Sequence, residues 1–112
     1  MGYKTFKGSR LNLEIYQGKS SIDYEIEVLN DDGSDFDLTV YSSVVFSVYY
    51  RQHGDLIVSP TITSSGNVLY LDVTLAQSAA LQTREYFYEC YGVLVSPLSE
   101  QELITYGTFK NV

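Results

Sequence analysis

One histidine, His53, and one cysteine, Cys90, are the side chains whose types could serve acid–base or nucleophilic chemistry near neutral pH. His53 stands in "QHGD", beside Gly54 and Asp55, where turn chemistry is the natural reading. Hydrolytic catalysis needs a base oriented by an acid and a sharply presented nucleophile, and no G-x-S-x-G elbow occurs. A thiol pair of Cys90 with His53 is compatible with the composition. The context of Cys90, "YFYECYGV", instead favours a small apolar side chain packed in a core. A closed zinc site needs several Cys and His ligands, and one of each cannot build it. Calcium needs clustered oxygens, which "DDGSDFD" offers in Asp31, Asp32, Asp35 and Asp37. That stretch lacks the repeated D-x-D step and closing Glu of an EF-hand loop, so a solvated turn is the favoured reading and a calcium loop its rival. Paired carboxylates for glycoside hydrolysis require a cleft, and among 14 acids accidental pairs carry no signal. The 8 glycines are scattered among turns, leaving no phosphate-cradling loop. No catalytic set assembles. The expectation is a protein that is not an enzyme and needs no cofactor or metal.

Whatever the surface does, strands must position it. Period-2 alternation dominates the chain. In "SIDYEIEV", Ile22, Tyr24, Ile26 and Val28 share one face and Asp23, Glu25 and Glu27 the other. In "SVVFSVYYR", Val44, Phe46, Val48 and Tyr50 are expected to face inward, with Ser43, Ser47 and Arg51 outward. In "NVLYLDVTL", Leu69, Leu71, Val73 and Leu75 alternate with Tyr70, Asp72 and Thr74. Further strands are expected at Leu11–Gln17, Leu56–Ser64, Arg84–Val95 and Leu103–Lys110, with turns at "NDDGSD", "QHGD" and "SSGN". Only Ala76 to Gln82, "AQSAALQ", reads as helical, a short connector. A chain of 112 residues makes a single domain with a real core. About seven to eight strands in that length predict an all-β, antiparallel sandwich over residues 11–112. Residues 1–10, "MGYKTFKGSR", precede the first clear strand as a basic arm.

Charge narrows the partners. The net charge is −7, and 7 of the 14 acids lie between Asp23 and Asp37, against only 7 scattered Lys and Arg. Nucleic-acid binding needs clustered cations to displace counterions, so that partner is not expected. No apolar run approaches bilayer-spanning length and no signal-peptide core follows Met1, so neither a membrane partner nor export is expected. A lone cysteine forms no internal disulfide, consistent with folding in a cytoplasm.

The 11 tyrosines, with 5 phenylalanines and no tryptophan, suit strands that meet another protein along one face. "VYYR" and "YFYECY" place rings on both faces of their strands, so one face must expose them. Such rings either form an interface or merely cover strand surface. The expected contact residues are Tyr49, Tyr70, Tyr91 and Tyr106, together with Lys4, Lys7 and Arg10 of the arm. That arm either lies on the acidic strand (Asp23, Glu25, Glu27) of a neighbouring copy or is a plain terminus. Leu103–Lys110 is expected as an edge strand open to docking.

Four ordered pieces carry a family likeness: Asp37-Leu38-Thr39-Val40-Tyr41, "GNVLYLDVTLAQSAAL" (Gly66 to Leu81), "REYFYECYG" (Arg84 to Gly92) and "YGTFKNV" (Tyr106 to Val112). Over Ile15 to Val112 the chain resembles the N-terminal domain of phage baseplate upper proteins, with Val40 where that family usually carries glycine. The resemblance implies an immunoglobulin-like sandwich in a virion, assembled in the bacterial cytoplasm, contacting other virion proteins and copies of itself. It supplies no catalytic residues. A carbohydrate-binding module, stacking tyrosines on sugar rings, is the alternative from a different class.

Overall fold

A computed structural model describes residues 2–15, 21–52, 54–81, 84–95 and 100–111. His53 lies outside the described residues. Ten strands and one short helix follow in order: β1 (Gly2–Phe6), β2 (Ser9–Arg10), β3 (Leu13–Ile15), β4 (Ser21–Leu29), β5 (Tyr41–Tyr49), β6 (Leu56–Val58), β7 (Thr61–Ser65), β8 (Val68–Val73), α1 (Leu75–Ala80), β9 (Glu85–Leu94) and β10 (Gln101–Asn111). They form two packed sheets. One has four strands in the order β1-β4-β8-β7. The other has six, in the order β2-β10-β9-β5-β6, with β3 also paired to β10.

Period-2 patterning sorts side chains between the sheets and water. Tyr24, Ile26 and Val28 from β4, Leu69, Leu71 and Val73 from β8, and Phe46 and Val48 from β5 are all buried. Tyr86, Tyr88 and Cys90 of β9, with Ile104 and Phe109 of β10, complete the facing layer. At its centre the Phe46 ring stacks on Tyr88 at 4.7 Å and meets Phe109 edge-on at 5.8 Å. Buried tyrosine hydroxyls need partners. Tyr88 donates to the Leu11 carbonyl at 2.6 Å and Tyr24 to the Glu14 carbonyl at 2.8 Å. Both bonds fasten the N-terminal segment to the core.

That segment is where expectation and structure part. Residues 1–10 were read as an arm, but Gly2–Phe6 is β1, running parallel to β4 with Gly2 opposite Glu25 and Phe6 opposite Leu29. Thr5 is buried, and the Tyr3 ring meets Tyr24 edge-on at 6.0 Å, so alternation extends into the first residues. Gly8, at φ +84°, makes the tight turn that carries the chain from one sheet to the other. β2 and β3 then run parallel to β10. The sandwich is therefore not wholly antiparallel, and the ten strands among the described residues exceed the expected seven or eight.

Four smaller corrections have equally local causes. Leu103–Lys110 is no edge, because β10 lies between β9 and the β2–β3 segment. The run Leu56–Ser64 breaks at Pro60 into β6 and β7, which join different sheets; proline has no amide to donate to a ladder. Tyr50 is exposed at 42 %, because the ladder ends at Tyr49 and the Tyr50 amide donates to the Asp55 carbonyl in a turn. Leu75 opens α1 and does not extend β8, because Thr74 caps the helix. The Gln77 amide donates to Thr74 Oγ1 at 3.1 Å and the Thr74 amide to Gln77 Oε1 at 3.0 Å, a reciprocal capping box.

Candidate functional site

The residues with chemical potential resolve first. The acidic loop builds turns. Asp32 Oδ1 accepts from the Ser34 amide and hydroxyl at 3.0 and 2.6 Å. Asp37 Oδ1 accepts from the Thr39 amide and hydroxyl at 2.9 and 2.6 Å and caps a 3₁₀ turn over Leu38–Val40. These bonds favour the charged forms and hold both carboxyls below their ordinary value of 3.8. Among the described residues no group of three His, Cys, Asp or Glu side chains is placed to hold a metal ion. Cys90 is fully buried, and desolvation pushes its thiol up to about 12, which suppresses thiolate chemistry.

The motif Asp37–Tyr41 forms a corner of the core. Its Leu38 is buried, and the Leu38 amide donates to the Gly66 carbonyl at 3.0 Å, joining two of the family-like pieces. The Tyr41 ring lies against the bare backbone of Gly92, where a Cβ would stand 2.3 Å from the ring. Its hydroxyl donates to Glu102 Oε1 at 2.9 Å, and Lys7 Nζ lies 3.3 Å from the same oxygen. Both contacts hold the Glu102 carboxyl below its ordinary 4.5. Burial raises the Tyr41 hydroxyl's pKa, and the hydrogen bond to Glu102 adds to the rise.

The expected cationic contacts are spent within the molecule. Lys4 lies 3.7 Å from Glu27, Lys7 pairs with Glu102, and Arg10 Nε donates to Asn12 Oδ1 at 3.3 Å. One of these contacts, Lys4–Glu27, joins the basic segment to the acidic strand inside one chain, because β1 lies beside β4.

The remaining candidate is the outer face of the six-stranded sheet. Inward Tyr86, Tyr88 and Cys90 force Phe87, Glu89 and Tyr91 outward on β9. Register then assembles their neighbours: Tyr49 and Thr108 flank Phe87, Ser47 and Tyr106 flank Glu89, and Val45 and Leu103 flank Tyr91. Phe87 and Tyr106 rings lie 6.5 Å apart, tilted by 42°. Ser47 faces outward, as expected, yet is buried, because a small side chain sits below the level of its larger neighbours. A shallow concavity of about 390 Å³ opens on this face, lined by Tyr49, Glu89, Tyr91, Gln101, Glu102 and Leu103.

Three of the four expected tyrosines, Tyr49, Tyr91 and Tyr106, therefore share one face and are half-buried there. Tyr70 does not join them: it lies 38 % exposed on the outer side of the other sheet, opposite Glu25. Glu89 was not singled out from the sequence. Its signal was present in "FYECY", where it alternates in phase with Phe87 and Tyr91, but its cross-strand neighbours depend on register. Scanned against protein-family models the chain matches none, and a search of the curated proteins returns no relative.

Proposed function

We propose that this chain is a non-enzymatic structural component of a bacteriophage particle, with an immunoglobulin-like sandwich that works by protein–protein contact through the outer face of its six-stranded sheet. The observation that carries the reading is the contiguous outward cluster of Tyr49, Phe87, Tyr91, Tyr106 and Leu103. Aromatic rings enrich the buried centres of interfaces, and on a flat sheet they present large area at low entropic cost. Strand order supports the immunoglobulin-like assignment: β1-β4-β8-β7 against β10-β9-β5-β6 follows the A-B-E-D and G-F-C-C′ orders of that fold. The parallel pairing of β1 with β4 is a variation on it. The virion role rests on the resemblance of the four ordered pieces, which lie on the Asp37–Tyr41 corner, β8–α1, β9 and β10.

The test is imaging. Antibody raised against the purified chain should decorate phage particles in negative stain at regular positions. Particles that carry no label while the chain stays soluble and unassembled would sink the reading.

A second reading has its own observation, since Tyr49 and Tyr91 with Glu89 and Gln101 around one concavity also suit a sugar ring and its hydroxyls. In that reading the chain is a carbohydrate-binding module, and a glycan array should show saturable binding that Tyr91→Ala removes.

A further inference from the structure

We propose that this outer face recognises a partner protein through a protruding arginine whose guanidinium meets Glu89; the inference rests on the contact role proposed above and specifies its chemistry. Glu89 is half-buried at the middle of the face, with Phe87 and Tyr91 on its own strand and Tyr106 across the ladder. No hydrogen bond or ion pair joins its carboxylate to another side chain among the described residues. Any protein that covers the surrounding rings must also cover this carboxylate. A buried charge left without a counter-charge costs several kcal/mol, so a purely apolar partner is disfavoured. A cation resolves the conflict.

Arginine fits best. Its planar guanidinium stacks on aromatic faces while its donors reach a carboxylate, and it is weakly hydrated and so cheaper to bury than an ammonium. A second copy of this chain fits badly: apposed faces would bring two Glu89 carboxylates together between molecules that each carry −7. Arg84 lies 4.0 Å above the Tyr50 ring, and Lys110 stands opposite Glu85 in the ladder, at the end of the face away from Glu89. Complementarity therefore points to a different, basic chain, drawn in by the negative field of this one.

The probe is the capped tripeptide acetyl-Leu-Arg-Leu-amide, compared with the same peptide carrying neutral citrulline, each titrated into isotopically labelled full chain and followed by amide chemical shifts. The arginine peptide should shift Phe87, Glu89, Tyr91 and Tyr106 saturably and bind about tenfold tighter than the citrulline peptide. Glu89→Gln should erase that preference, while Glu25→Gln, on the other sheet, should leave it intact. Equal binding of the two peptides, equal loss from both variants, or no shifts on this face would overturn the proposal. If particles are labelled but the peptides fail, the contact role stands and the arginine is wrong; if particles stay unlabelled, the broader reading falls by itself.

Discussion

At Gly92 a missing side chain is itself a structural element. The Tyr41 ring occupies the space a Cβ would need, packing an aromatic face directly on β9 and aiming its hydroxyl at Glu102. Gly92→Ala should therefore expel the ring, costing about 1–3 kcal/mol as over-packing, read as a lowered midpoint in urea denaturation. Glu102 gives the same corner a pH response. Its carboxyl is held low by the Tyr41 hydroxyl and then by Lys7, so the folded state binds its proton less readily than the unfolded chain. That contribution is complete above 4.5 and disappears as pH falls through the depressed folded value. Asp32 and Asp37 respond in the same direction. Urea midpoints should fall as pH is lowered below 4.5, and Glu102→Gln should flatten part of that decline. An acid limb unchanged in the variant would remove Glu102 from the account.

Elements with their own alternation were legible in the sequence, and those defined by a distant partner were not. β4, β5, β8 and β9 carry apolar residues at period 2, and each lies close to its expected range. The helical connector is also legible, its start displaced by one residue because the Thr74–Gln77 box sets it at Leu75. β1 and β2 were hidden, being short, basic and stabilised by parallel pairing with strands far along the chain. The same contacts changed the status of β10. Thr105, within the stretch expected as an edge, is buried and donates its hydroxyl to the Ser9 carbonyl at 2.8 Å. Thr105→Pro should destabilise the fold by removing an amide from the middle of a sheet, with loss of the folded β signature in circular dichroism. A folded variant with normal stability would mean that β10 tolerates an interruption there. Removing residues 2–6 should likewise lower the melting temperature, because β4 loses its parallel neighbour and Tyr24 its ring contact.

The two outer faces of the whole molecule differ in how their rings are grouped, which gives the proposed contact a direction. On the four-stranded sheet, Lys4 and Glu27 pair in solvent, Tyr70 stands opposite Glu25 and Thr63, and Phe6 is exposed at the end of β1, so the two rings are set apart among polar residues. The six-stranded sheet carries the aromatic cluster, and beyond it β6 leaves Leu56 and Ile57 exposed at 56 % and 45 % on an open edge. Apolar surface thus runs from the ring cluster through Tyr49 to that edge, whereas on the opposite side Tyr70 and Phe6 are separated by Lys4, Glu25 and Glu27. If contact is made through the first face, identical substitutions on the two faces must have different consequences. Tyr106→Arg and Tyr70→Arg each replace an outward tyrosine; Tyr70→Arg should alter stability by no more than about 0.5 kcal/mol, and Tyr106→Arg by about 0.5–1.5 kcal/mol for its lost ring pair, with both variants remaining folded. Only Tyr106→Arg should block incorporation into particles, since it places a cation where the proposed partner brings its own and disrupts the Phe87–Tyr106 pair. Glu89→Lys should act in the same sense and more strongly, reversing the charge at the centre of the face. Sedimentation of particles assembled with each variant reads the difference, and equal incorporation of Tyr106→Arg and Tyr70→Arg would show that the aromatic face is ordinary strand covering.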